Sequence, residues 1–277
     1  MLNRIFTLTH AELYKMSRQK YSYLLVIFIV INALMVGLGS RIFPAIMAAF
    51  RGTEGVVFDG YTFASIIESG TFGSAGAGTI CMLAFAGSIM ASETDSGTLK
   101  NLLTRPIRRG ELLAGKALAL LVYCLVIVGI MTAISVSAGA IFYGMGDLAI
   151  PETGEVYRTH AEMLGNLAVS NLMNIFSIYT VGCMGLLLSV IINNAGWAVI
   201  TSLVIYFPVA FLKNFDTFSP WIFTAYMDLG QNILREMAVV KAKTWSPDIL
   251  SFFAVNISTM SVFLLLAFLI FKKKEIY

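Results

Sequence analysis

The chain is poor in charge. Only 13% of its 277 residues are Asp, Glu, Lys or Arg, about half the share of a soluble domain, and that leaves too little polarity for a water-facing shell. Histidine is scarcer still: His10 and His160 are the only two, and both lie outside the long apolar runs. Three cysteines, Cys81, Cys124 and Cys183, all fall within apolar segments. An odd number of such thiols argues against a disulfide framework, and no pair has metal-ligand spacing. Glu152, Glu155, His160 and Glu162 could be drawn as an external metal cluster, but read better as a solvated acidic loop. No internal repeat, low-complexity tract or soluble domain stands out.

Hydrophobicity is what the chain has, at 58% of residues. Six segments are long enough, or nearly so, to cross about 30 Å of hydrocarbon at about 1.5 Å per residue: 21–39, 72–91, 115–143, 167–192, 195–212 and 249–271. The predicted fold is an all-α membrane protein with a single transmembrane domain over 1–277. Only Asn193 and Asn194 separate the fourth and fifth spans, which requires a tight turn. Ahead of the first span, Leu2, Ile5, Phe6, Thr9, Leu13 and Met16 fall at helical spacing opposite Arg4, Lys15 and Arg18. This predicts an N-terminal interfacial helix over 1–20. Residues 213–248 carry aromatics and near-helical apolar spacing, which predicts short re-entrant or interfacial helices in the outer leaflet. Pro208 predicts a kink late in the fifth span.

Charge sets the orientation. With both termini inside, twelve Lys and Arg lie on the inner side and seven on the outer, while acids run five inside to eleven outside. The positive-inside rule then gives a multi-pass protein of the cell membrane with cytoplasmic termini. The first apolar run is too long for the core of a cleaved signal peptide.

The densest polar stretch lies between the second and third spans, from Ala91 to Lys116, and holds Lys100, Arg105, Arg108, Arg109 and Lys116. Asp95 or Ser96 can cap a helix beginning near Thr98, and Pro106 ends it. Within the stretch, Gly110 to Lys116 fits G-x-x-x-x-G-K. A phosphate loop would continue with Ser or Thr after a strand, whereas here Ala117 follows and the intervening ELLA favours helix. The chain itself is therefore expected to bind no nucleotide and hold no cofactor or metal.

The spans contain almost no ionisable residue, so an ion-coupled route through mid-membrane carboxylates is not expected. Energy for any transport must come from another chain, and an apolar or amphipathic cargo suits the lining. Candidate path residues are Gly73 and Gly76, in the small-residue face of the second span, and Asn171 and Asn174 in the fourth. Phe218, Trp221 and Tyr226 are candidates for an outer gate. Gly73-Ser74-Ala75-Gly76 lacks a His or Lys base to activate the serine, which disfavours an intramembrane hydrolase. A membrane scaffold without transport is the other alternative.

These parts together resemble a type-2 ABC exporter permease. The resemblance rests on ELYKMSRQKYSYLL before the first span and on E-x-D-x-G-T-L-K-x-L-L-x-x-P-x-x-R-x-E-L-L-x-G-K from Glu93 to Lys116. The tight fourth-to-fifth turn, the large outer connection before the sixth span and the basic FKKKEIY end complete it. It implies the compact six-span permease fold and a dimer with a second permease chain, identical or a paralogue. It also implies a separate ABC ATPase subunit holding ATP and Mg, contact with membrane lipids, and no nucleic acid. In such permeases the loop after the second span carries a coupling helix that docks on the ATPase. On that pattern Glu93, Asp95, Gly97 and Thr98 cap and start the helix. Lys100, Arg105, Pro106, Arg108 and Arg109 belong to its docking surface, and Lys116 leads into the third span.

Overall fold

The computed structural model describes residues 2–18, 63–99, 107–143, 148–149, 156–158, 160–230 and 248–274, with scattered positions between 23 and 31. The first predicted span lies mostly outside the described residues, as do Lys100, Arg105, Pro106 and residues 231–247.

The described residues are mostly helical, with short turns and one small β pair. Helix α1 spans Leu2–Arg18, α2 Phe63–Ile89, α3 Ala91–Asp95, α4 Arg109–Tyr143, α5 His160–Ile191, α6 Ala195–Phe211 and α7 Asp248–Lys273. Strands β1 (Leu148–Ala149) and β2 (Val156–Arg158) form an antiparallel pair in the connection from α4 to α5. Among the described residues, five helical stretches are long and apolar enough to cross a membrane: Gly76–Asp95, Arg109–Ile134, Leu164–Ile191, Ala195–Asn214 and Asp248–Lys273.

Apolar side chains on all sides make α2 and α5 the central helices, while α6 and α7 keep most of their surface facing outward. Small residues set how closely α2 meets its neighbours. A Cβ on Gly185 of α5 would come 2.8 Å from Cβ of Ala86, and one on Gly87 of α2 would come 3.1 Å from Cα of Val199 on α6. This part of the small-residue face is thus used inside the chain. Gly76 differs, with nothing within 4 Å of a Cβ placed there; Gly73 lies in α2. The core between α2, α4 and α5 is filled by Met82, Phe85, Leu120, Tyr123, Ile127 and Ile178, with the Phe85 and Tyr123 rings 4.3 Å apart. Thr180 on α5 and Asn256 on α7 join those two helices by a buried hydrogen bond of 3.1 Å.

The described part of the expected outer helical segment begins straight after α6, and residues 231–247 of it lie outside the described residues. Three single 3₁₀ turns follow one another, Leu212–Asn214, Ser219–Trp221 and Phe223–Tyr226. Pro220 and the turns of Phe215–Phe218 interrupt the helical spacing that the apolar residues suggest. The segment still closes the end of α6. Thr224 donates to Val209 O at 3.0 Å, satisfying one of the carbonyls a helix end leaves open. Phe223 is buried against Leu83, Val181 and Met184, while Phe218 and Trp221 are exposed and Tyr226 donates to Pro220 O.

Candidate functional site at the α1–α7 end of the bundle

The polar stretch from Glu93 to Lys116 is rooted at one end of the bundle, where α1, the α2–α3 break, the start of α4, the α5–α6 turn and the end of α7 converge. Local chemistry builds each part. Helix α2 stops at Met90, and the backbone N–H groups of Met90 and Ala91 both donate to Ser189 Oγ of α5 at 2.9 Å. Helix α3 is one short turn, closed by Gly97 at φ 70° with its N–H on Thr94 O, as a left-handed stop residue does. Helix α4 opens with a reach-back cap: Glu111, buried, accepts from the N–H of Arg108 at 3.1 Å.

At the centre lies an ion cluster. Lys116, fully buried, sits seven residues into α4, about 10 Å from its start. Its Nζ donates to Glu12 Oε1 at 2.9 Å and to Ile89 O at 3.1 Å. It also lies 2.8 Å from Glu93 Oε2, a contact close enough for strong attraction but without hydrogen-bond alignment. Lys15 donates to the other oxygen, Glu93 Oε1, at 2.7 Å. Two carboxylates and two ammonium groups thus balance where α1, α3 and α4 meet, the condition under which buried charge is tolerated. The glycine before the lysine lets α1 come near: a Cβ on Gly115 would stand 2.9 Å from Cβ of Leu8, and Thr9 donates to Gly115 O at 3.3 Å. The phosphate-loop-like residues 110–117 are therefore two turns of a packed helix, with Gly115 at its crossing with α1.

The remaining polar residues tie the other helices to this end. Asp95 does not cap the segment after Gly97. Its carboxylate accepts from Asn194 Nδ2 at 3.4 Å and faces the N–H of Ala195 at 3.5 Å, at the positive start of α6. Asn194 in turn caps α6 by accepting from the N–H of Trp197 at 3.1 Å. Ser96 and Thr98 pair through their hydroxyls at 2.9 Å. Arg109 turns inward: Nη1 lies within 3.0 Å of the carbonyls of Phe271, Lys272 and Lys274, closing the end of α7. Lys274 donates to Val190 O near the end of α5, and burial holds its ammonium below the ordinary lysine range. Arg108 is exposed beside the start of α4.

The structure thus joins Glu93 and Lys116 directly, and sets Asp95 and Arg109 on separate neighbouring helix ends. Glu12, which apolar patterning passes over, is the fourth member of the cluster. Its signal in the sequence is a charge inside the apolar stripe of α1, between Thr9 and Leu13. The buried face of α1 runs through Thr9, Glu12 and Met16, and Phe6 lies off it, exposed. Asn171 and Asn174 sit in α5, far from this junction along the helix. Glu152 and Glu155 fall outside the described residues.

A family model described as "Protein of unknown function (DUF2705)" matches residues 28–277. The chain is also similar to an uncharacterized protein, YhcI, of Bacillus subtilis (strain 168), with 28% identity over 225 residues, 78% of this chain and 70% of that protein. With a match that runs from within the first predicted span to the last residue, the chain belongs to the DUF2705 family.

Proposed function

We propose that this chain is the membrane-spanning permease subunit of an ATP-driven ABC exporter, moving an apolar or amphipathic substrate out of the cell by alternating access. On this reading the end of the bundle built around Lys116 is cytoplasmic, both termini lie on that side, and a separate ATPase subunit docks on the Glu93–Arg109 segment. The observation that carries the reading is the way this segment is anchored. Its two roots, Glu93 and Lys116, share one buried ion cluster with α1. Asp95 and Arg109 extend the hold to α6 and α7. A displacement of the middle of the segment would therefore pass as a unit to α1, α2, α4 and the α5–α6 turn, which is what coupling to a soluble motor requires. The test is reversal of Arg105 and Arg108 to Glu in the two-subunit complex. The partner ATPase should then no longer co-purify, with the permease still folded. Wild-type co-purification together with ATP-dependent transport would refute the docking assignment.

A further inference from the structure

Helix α1 spends its apolar side on the bundle. Leu8 and Leu13 pack against the core, and Met16 is part of it. The helix crosses α4 at Gly115, six residues past Arg109 and so about 9 Å along the α4 axis. The apolar run of α4 begins just beyond, after Lys116. The crossing therefore lies where polar residues give way to apolar ones, the level of a membrane's headgroup region. A helix at this level ordinarily sinks its apolar side into lipid. Here that side is already covered, and the other one faces outward.

The outward side is cationic and aromatic. Arg4, Phe6, Tyr14, Lys15 and Arg18 are all exposed. Arg4 and Arg18 stand two heptads apart and share one side of the helix. The Arg18 guanidinium lies 5.5 Å from the centre of the Tyr14 ring. Carboxylates are turned away from this side. Glu12 is the one acid of α1, and it is buried on Lys116. Glu93 and Glu111 are buried too, and Asp95 faces the start of α6. A positive helix face with no exposed acid of its own is complementary to anions. Arginine favours phosphate, which its planar fork can bind through two N–H groups. Exposed aromatic rings between the cations suit the border of a bilayer better than open water. Arg4 and Arg18 lie about 21 Å apart along the axis of α1, too far to share one phosphate.

We propose that the outward face of α1 binds the phosphate headgroups of anionic phospholipids, several at once, in the leaflet at this end of the bundle. Lys15 ties this surface to the ion cluster, since its side chain is 42% exposed and its ammonium lies 2.7 Å from Glu93. The inference concerns only α1 and the bilayer, and so is independent of the exporter reading.

The experiment uses the full chain carrying a small thiol-linked fluorophore at Ala11→Cys, an exposed position midway between Arg4 and Arg18. The native cysteines are buried and stay unlabelled in the folded chain. The chain is placed in phosphatidylcholine bilayers. Quenching is then compared between phosphatidylglycerol and phosphatidylcholine bearing the same nitroxide near the headgroup. Phosphatidylglycerol should quench as though at least about fivefold enriched at the site, the attraction of roughly one basic side chain. Raising salt from about 0.1 M to about 1 M, which shortens the screening length to about 3 Å, should bring the preference below about twofold. Arg4→Gln with Arg18→Gln should do the same at low salt. Lys272→Gln with Lys273→Gln removes two exposed cations from the end of α7 and should leave the preference intact. Equal quenching by the two lipids, or none by either, would overturn the proposal. A preference that survives high salt, or that falls equally in the α7 variant, would do the same. The salt series leaves the cationic face unaltered, so it decides the matter even where the α1 double variant fails to fold.

Discussion

Replacing Lys116 with Met tests the ion cluster at its centre. At an effective dielectric near 20, each contact of 2.8–2.9 Å to Glu93 and Glu12 is worth about 6 kcal/mol of gross attraction. Most of that is offset by taking the ions out of water. Removing the shared cation forfeits the attraction and leaves the carboxylates buried. Glu93 keeps Lys15, whose side chain is 42% exposed, so that contact contributes only about 1 kcal/mol or less. Glu12 keeps no cation within salt-bridge reach among the described residues. The expected loss is about 3–5 kcal/mol, or roughly 6–20 °C in Tm for a chain of this size. Restoring neutrality by adding Glu12→Gln and Glu93→Gln should bring back most of it, because an uncharged replacement of a buried ion set is often near neutral. Cys81, Cys124 and Cys183 are buried, so a thiol-reactive fluorophore in detergent reports the unfolding directly. A Tm for Lys116→Met within about 2 °C of wild type, less than 1 kcal/mol, would contradict the cluster's assigned weight. A triple variant no more stable than the single one would contradict its assigned cause.

The same geometry sets further outcomes. Arg109→Ala should open the end of α7 at a cost of about 1–2 kcal/mol, read as faster amide hydrogen exchange over 268–274 with α1 unaffected; unchanged exchange there would count against the cap. Gly185→Leu should force α2 from α5, because even a Cβ meets Ala86 at 2.8 Å, and should lower stability by about 1–3 kcal/mol. Gly76→Leu, with nothing within 4 Å of the new Cβ, should leave stability unchanged in a thermal scan of the isolated chain. Equal loss in both would mean that the small-residue face is not what sets the helix spacing.

The helices are legible in the sequence because apolar runs of membrane length are a strong signal, and the Asn193–Asn194 interruption marks the α5–α6 turn. Amphipathy finds α1 but misjudges its face: a stripe drawn from apolar residues alone includes Phe6 and skips Glu12, since patterning cannot show that a carboxylate is matched by Lys116 from another helix. The same blindness applies to Arg109 and Asp95. As sequence they are charges in a polar stretch; in the fold they reach Lys274 and Asn194, residues 165 and 99 positions away. The Gly110–Lys116 pattern can be set aside as a phosphate loop from its neighbours, yet only the crossing itself shows that Gly115 is small to admit α1. Past α6, apolar spacing suggests short helices, and in the described part Pro220 and the aromatics divide 212–226 into successive 3₁₀ turns.

The most direct measurement of the central claim is ATP turnover in proteoliposomes holding this chain with the ATPase subunit proposed as its partner. The complex should hydrolyse ATP and move an amphipathic probe across the bilayer. The chain alone should do neither, and Glu93→Gln with Lys116→Met should reduce transport more than turnover. ATP hydrolysis by the isolated chain, or full transport in a complex whose ion cluster has been removed, would contradict it.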